Sequence, residues 1–164
     1  MLELSPFLLS QILAAVSFGF GLTSYQFKNR RKILLCFVAC NIFNASHFFL
    51  LGRPGPATLL LVTGVRYSVA TVTTDRRVMV LFLFVTALAF IVFSTNLLSL
   101  LPCLGTLIAT YGSFQSDDRR MRLIIMVGNA MWTVHNVLAS TPVGAFMEGA
   151  FLTSNIVGYR RYYK

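Results

Sequence analysis

Residues 41–54 read NIFNASHFFLLGRP, and residues 129–142 read NAMWTVHNVLASTP. Asn41, His47 and Pro54 fill the same slots as Asn129, His135 and Pro142. The chain has only two histidines, and each occupies the same place in this frame. An arginine pair precedes each stretch, Arg30-Arg31 and Arg119-Arg120, with a slip of one residue. Both stretches lie in runs apolar enough to cross a membrane. The chain therefore reads as a duplicated membrane unit whose two polar stripes face each other along a path for a polar solute.

Composition sets the class. Hydrophobic residues make up 56% of the 164 and charged residues only 12%. The mean hydropathy is +0.72. A soluble domain carries about 25% charge, so an integral membrane protein is expected, with the lipid bilayer as its first partner. The net charge of +9 is no nucleic-acid signal. The basic residues sit in short turns between apolar runs, as inward-facing loops do, and not on one soluble face. Cys36, Cys40 and Cys103 all lie in apolar runs; an odd count there supplies neither a disulfide framework nor metal-ligand spacing. The first residues, with Glu3, lack the basic start and small-residue cleavage site of a signal peptide, so the first segment is expected to remain as a helix.

Seven apolar segments run 5–25, 33–51, 58–74, 78–95, 98–114, 122–139 and 143–159. Lys28, Arg30, Arg31 and Lys32 follow the first, Arg76 and Arg77 the third, Arg119, Arg120 and Arg122 the fifth, and Arg160, Arg161 and Lys164 the seventh. The opposite turns hold only Arg53, and Arg66 lies within a segment. The positive-inside rule then places the N-terminus outside and the C-terminus in the cytoplasm. That parity needs an odd number of crossings. A three-helix unit ends on the side opposite its start, so two copies in one orientation need an extra crossing between them. The fourth segment, with no ionisable residue in VMVLFLFVTALAFIVF, fills that role. The expected fold is all-α: a three-helix repeat at 1–77, a linker helix at 78–95 and a second repeat at 96–164.

This three-plus-one-plus-three layout resembles the SWEET and PQ-loop transporters, which are built from parallel repeats. The Pro-Gln pair is absent, Ser10-Gln11 being nearest, and Pro102 has no counterpart in the first half. The residues Gln26 to Arg31, the run His47 to Gly52, Arg66, Asn129, Trp132 and His135 resemble the YgjV-type bacterial inner-membrane proteins, from about Gln11 to Arg161. That resemblance implies a bacterial inner-membrane location and a SWEET-like fold. Asn155 resembles the substrate-binding asparagine of SWEETs, and its partner position in the first half falls near Arg66-Tyr67. A fixed positive charge in place of an amide would favour an anionic or carboxylate-bearing solute.

The polar residues inside the segments are the candidate pathway. Asn41, Asn44 and His47 are spaced three apart, about 60° around a helix, and form one slanting stripe. Asn129, Trp132 and His135 repeat it, and Asn136 adds an amide. An unpaired amide in hydrocarbon costs several kcal/mol, so such stripes turn from lipid toward the cleft between repeats or a neighbouring helix. Arg66 and Glu148 are intramembrane charges and functional candidates for that reason. At about 1.5 Å per residue, Glu148 and His135 reach similar depths, which allows a contact between them; an Arg66–Glu148 pair is the competing assignment, and a structural ion pair remains open. The close-approach glycines are Gly19, Gly21, Gly105 and Gly112.

Several chemistries find no footing. The only lysines, Lys28, Lys32 and Lys164, flank the segments, so no Schiff base to retinal is expected. Two histidines and one membrane glutamate are too few for a zinc centre. Ser46 points about 100° away from His47 on a helix, and no Walker loop is present. No catalytic residue, metal or cofactor is expected, and no enzyme. The leading expectation is a small permease or facilitator for a polar solute, with proton coupling if His135 and Glu148 titrate together. An ion or proton channel, and a structural or regulatory membrane protein, are the alternatives. A second copy of the chain is left open as a partner.

Overall fold

The computed structural model describes residues 5–93 and 97–164. Among them are seven α-helices: α1 (Pro6–Ser24), α2 (Arg30–Leu50), α3 (Pro54–Val72), α4 (Arg76–Phe93), α5 (Leu100–Ser113), α6 (Asp118–Leu138) and α7 (Pro142–Tyr163). A short 3-10 turn, Leu97–Ser99, leads into α5. The expected end of the fourth segment, and the boundary at 95–96, lie outside the described residues.

The helices begin where the capping chemistry puts them, not where the apolar runs begin. Asn29 accepts the Lys32 N–H at 3.2 Å, and Asp117 accepts those of Arg119 and Arg120. α2 and α6 therefore start several residues before the expected 33 and 122, inside the basic turns. Pro6, Pro54 and Pro142 open α1, α3 and α7, where a missing N–H costs nothing.

α2 packs tightly between α1 and α3, and α6 between α5 and α7. This packing is consistent with two helical repeats. α1 meets α7 and α3 meets α5, so each triplet supplies two helices to a seam between them. α4 packs mainly on α5, with Phe82 6.0 Å from Phe114.

Polar groups are buried beside an apolar core that includes Ile33, Leu34, Met121 and Ile125. Buried groups include Ser10, Ser17, Ser24, Asn41, Arg66, Thr110, Ser113, Arg122 and Asn155. Large apolar side chains stand outside, among them Phe84, Ile91, Val143 and Phe146. An extensive apolar exterior of this kind marks a surface that is covered. Among the described residues, α1 and α2 combine the length and apolarity of a membrane span. Four of the other expected spans are interrupted or short, and the fourth segment continues outside the described residues. α3 carries Pro56 and Arg66, α6 opens on four charged residues in five, α7 carries Glu148 and Arg160-Arg161, and α5 is one of the shorter apolar helices.

Candidate functional site

Two buried or half-buried arginines tie the triplets together at the end where the basic turns gather. Arg30 leaves the first turn of α2 and donates to the carbonyls of Ser113 (2.7 Å) and Gln115 (2.6 Å), at the C-terminus of α5, and to that of Ala70 (2.6 Å) in α3. Arg122 leaves the second turn of α6 and donates to the carbonyls of Tyr25 (3.0 Å) and Phe27, at the C-terminus of α1. Tyr25 and Phe27 are separated from Ser113 and Gln115 by the interval that separates His47 from His135. So each triplet sends one arginine to the matching two carbonyls of the other. The last carbonyls of a helix lack intrahelical donors and carry the negative end of its dipole. A guanidinium there satisfies both needs.

More contacts reinforce this end. Gln26 donates to the Ser154 hydroxyl, which donates to the Leu22 carbonyl, and Tyr162 donates to the Gln26 carbonyl. Asn155 is fully buried; it donates to the Arg122 carbonyl and accepts from the Arg122 guanidinium. Gly158 lets the end of α1 dock, since a Cβ there would collide with the Tyr25 carbonyl oxygen. Among the described residues, the hydrogen bonds between the triplets gather in this half of the bundle. Further along the α1–α7 seam come apolar ring contacts, with Phe18 6.3 Å from Phe146.

Above the clasps lies Arg66. It is 4% exposed. Its Nη1 donates to Thr110 Oγ1 of α5 at 2.5 Å, and its guanidinium carbon sits 4.6 Å from the centre of the Tyr67 ring. Its Nε is buried without a partner. Tyr67 packs on Phe37, and Phe37 on Tyr25, whose hydroxyl accepts from Asn129 Nδ2 at 2.9 Å. Glu148 is half-buried, has no hydrogen bond among the described residues, and lies close enough to Tyr25 and Cys40 to act on both electrostatically.

The histidines go elsewhere. Nδ1 of His47 donates to the Ser10 carbonyl at 2.8 Å, and Nδ1 of His135 to the Leu98 carbonyl at 3.2 Å, each 37 residues earlier. A carbonyl only accepts, so Nδ1 carries the hydrogen in both. Each ring thus ties the second helix of its triplet to the first, and the two do not face each other. Leu98 is a natural acceptor because Pro102, one turn on, has no N–H to offer it. The expected His135–Glu148 contact is absent, as is the Arg66–Glu148 pair; the one ion pair among the described residues joins Arg120 and Asp117 at the surface.

The remaining expected residues divide. Asn41 donates to the Phe37 carbonyl, and Asn136 donates to that of Trp132 while accepting from Thr141 in the turn before α7. Asn44 is half-buried with no hydrogen bond among the described residues. Trp132 covers the crossing of α5 and α6, where a Cβ on Gly105 would come within 2.9 Å of it. Of the expected residues, Arg66, Asn129 and Asn155 mark the seam: the first two bond across it, and Asn155 holds the clasp arginine. Sequence reasoning misses Arg122, which it counts as a basic-turn residue. The signal is its spacing from Ile125 and Asn129, three and seven residues on, which puts it on the buried face of α6.

The sequence profile of a family described as bacterial inner membrane protein, of the YgjV type, matches residues 8–164. The chain belongs to this family. It is also similar to the inner membrane protein YgjV of Escherichia coli strain K12, at 24% identity over 161 residues covering 98% of this chain and 88% of that one. No solved structure matches. Family membership assigns the chain to the bacterial inner membrane and makes lipid the medium around its apolar exterior. In that medium the arginines, tyrosines and amides of the seam form a polar cluster between the triplets.

Proposed function

We propose that the chain is a small permease in which two duplicated three-helix units rock about the polar seam between them. Seven crossings are part of this reading. The basic turns lie at one end of the bundle, and the positive-inside rule makes that end cytoplasmic, with the N-terminus outside. α4 is the linker that lets both units keep one orientation.

The observation that carries the reading is the one-sided distribution of contacts across the seam. Reciprocal arginine clasps close the basic end, and apolar ring contacts take over further along the seam. A bundle built solely for rigidity gains nothing from leaving one end of its seam without polar ties. Two units hinged at one closed end are what alternating access uses.

Purified protein in liposomes tests this. Saturable uptake of a small polar solute, with acceleration by the same solute loaded inside, is the expected result. Linear flux with single-channel currents would favour a channel. A second reading has one observation on its side: both histidines, Asn41 and Asn136 bond backbone carbonyls and act as helix ties. If liposomes carry no flux of any tested solute while membrane partners co-purify, the chain is a structural or regulatory protein.

A further inference from the structure

The three arginines of the seam are not used alike. Arg30 spends Nε and Nη2 on carbonyls, and Arg122 spends both Nη1 and Nη2, leaving only its Nε over. Arg66 spends only Nη1, on Thr110. Its Nε is buried and unpartnered, and its Nη2 makes no hydrogen bond among the described residues. Nε–H and Nη2–H point the same way from one edge of the guanidinium. That edge is the side-on fork that matches the two oxygens of a carboxylate. Thr110 fixes the far side of the group and Tyr67 supports its face, so the fork is held in place before anything binds.

Charge points the same way. A cation taken out of water needs a counter-charge or several strong acceptors. Arg66 has one hydroxyl and one ring, and no carboxylate within 4.0 Å among the described residues. Arg122 and Arg30 stand at the same seam on carbonyl and amide dipoles, and Glu148, beside Tyr25, makes no ion pair with Arg66. We infer that the Nε/Nη2 edge of Arg66 is the binding site for a small carboxylate-bearing solute, which enters the seam between α3 and α5 and pairs side-on with the guanidinium. The inference deepens the permease reading by naming the solute class, but the site binds its anion whether or not the protein transports.

The test is thermal unfolding of the detergent-solubilised full chain, at fixed pH and ionic strength, in sodium acetate, sodium phosphate or sodium chloride. Acetate is expected to raise the midpoint above chloride in a saturable way, since a ligand of the folded state stabilises it by mass action. Arg66→Gln removes the saturable part. Arg66→Lys keeps the charge without the fork and weakens apparent affinity by about tenfold or more. His135→Ala, which removes a helix tie away from the fork, keeps the acetate response and guards against reading a folding defect as lost binding. Glu148→Gln keeps it too. An equal midpoint in acetate and chloride, an acetate response that survives Arg66→Gln, or a response to phosphate without acetate would each overturn the assignment. Liposome uptake is measured separately, so a site that binds acetate in a protein that moves nothing sinks the permease and spares the site.

Discussion

Ser140 shows how much of the fold rests on single positions. It follows α6 with φ 54°, the left-handed region, and Gly52 holds φ 68° at the matching place after α2. Both turns make the same bonds: Arg53 N–H to the Phe48 carbonyl and Gly52 N–H to that of Phe49, then Thr141 to Asn136 and Ser140 to Val137. This is the Schellman pattern, in which the residue after the cap must turn left-handed. Glycine does so freely, and a side chain costs roughly 1 kcal/mol there. Ser140→Gly is therefore expected to raise the unfolding midpoint by a few degrees, and Gly52→Ala to lower it by a similar amount, in thermal melts in detergent. The histidine ties make a companion prediction. His135→Ala is expected to cost about 1 kcal/mol, the net worth of one hydrogen bond, while leaving the acetate response of Arg66 intact. Loss of that response would return His135 to the solute path, where its spacing in the sequence places it.

At the scale of elements, the two triplets reach the same crossing with different chemistry. Ser17 donates to the Cys40 carbonyl at 2.8 Å where α1 crosses α2. At the corresponding point of α5 and α6, Gly105 and Gly128 press together, and a Cβ on Gly128 would lie 2.9 Å from the Gly105 carbonyl. One crossing is tied by a hydroxyl and the other by contact. Ser17→Ala should cost about 1 kcal/mol, and Gly128→Ala more, about 1–3 kcal/mol, because a backbone carbonyl cannot move aside as a side chain can. Equal losses in paired unfolding measurements would show that α5 and α6 relax apart freely. The helices themselves were legible in the sequence, because hydropathy and turn chemistry act over a few neighbouring residues. Gly105, Gly112 and Gly21 were legible as close contacts for the same reason, whereas Gly19 has nothing within 4 Å of a Cβ. What was not legible is which neighbour a polar side chain turns to. His47 finds a carbonyl in its own triplet, and Arg122 finds one in the other. Only the packing of α1 against α7 and of α3 against α5 decides that.

For the whole molecule, the permease reading makes the two clasps the contacts that would have to break for the basic end to open. Each holds a guanidinium on two carbonyls at the C-terminus of a helix in the opposite triplet. Hydrogen bonds from a charged donor contribute about 1.5–3 kcal/mol each. Arg30 and Arg122 also sit at or near the N-terminal turn of their own helices, where a positive charge opposes the dipole. That local cost is offset only while the clasps are made, which ties the charge to the closed state and not to the stability of α2 or α6. The clasp carbonyls include that of Ser113, whose side chain is fully buried. Ser113→Cys, in a chain whose Cys36, Cys40 and Cys103 are replaced by serine, therefore reports on opening. A water-soluble maleimide added at the basic face is expected to label the introduced thiol slowly. Adding Arg30→Gln and Arg122→Gln should speed labelling by about tenfold or more, a shift of about 1.4 kcal/mol in the closed–open balance, with the helix content unchanged by circular dichroism. Replacing one arginine should give part of the effect, because either clasp alone still bridges the triplets. If the double variant stays folded and the introduced thiol is as protected as before, the basic end is sealed by packing around Gly158 and Phe114, and the arginines are fastenings rather than a gate.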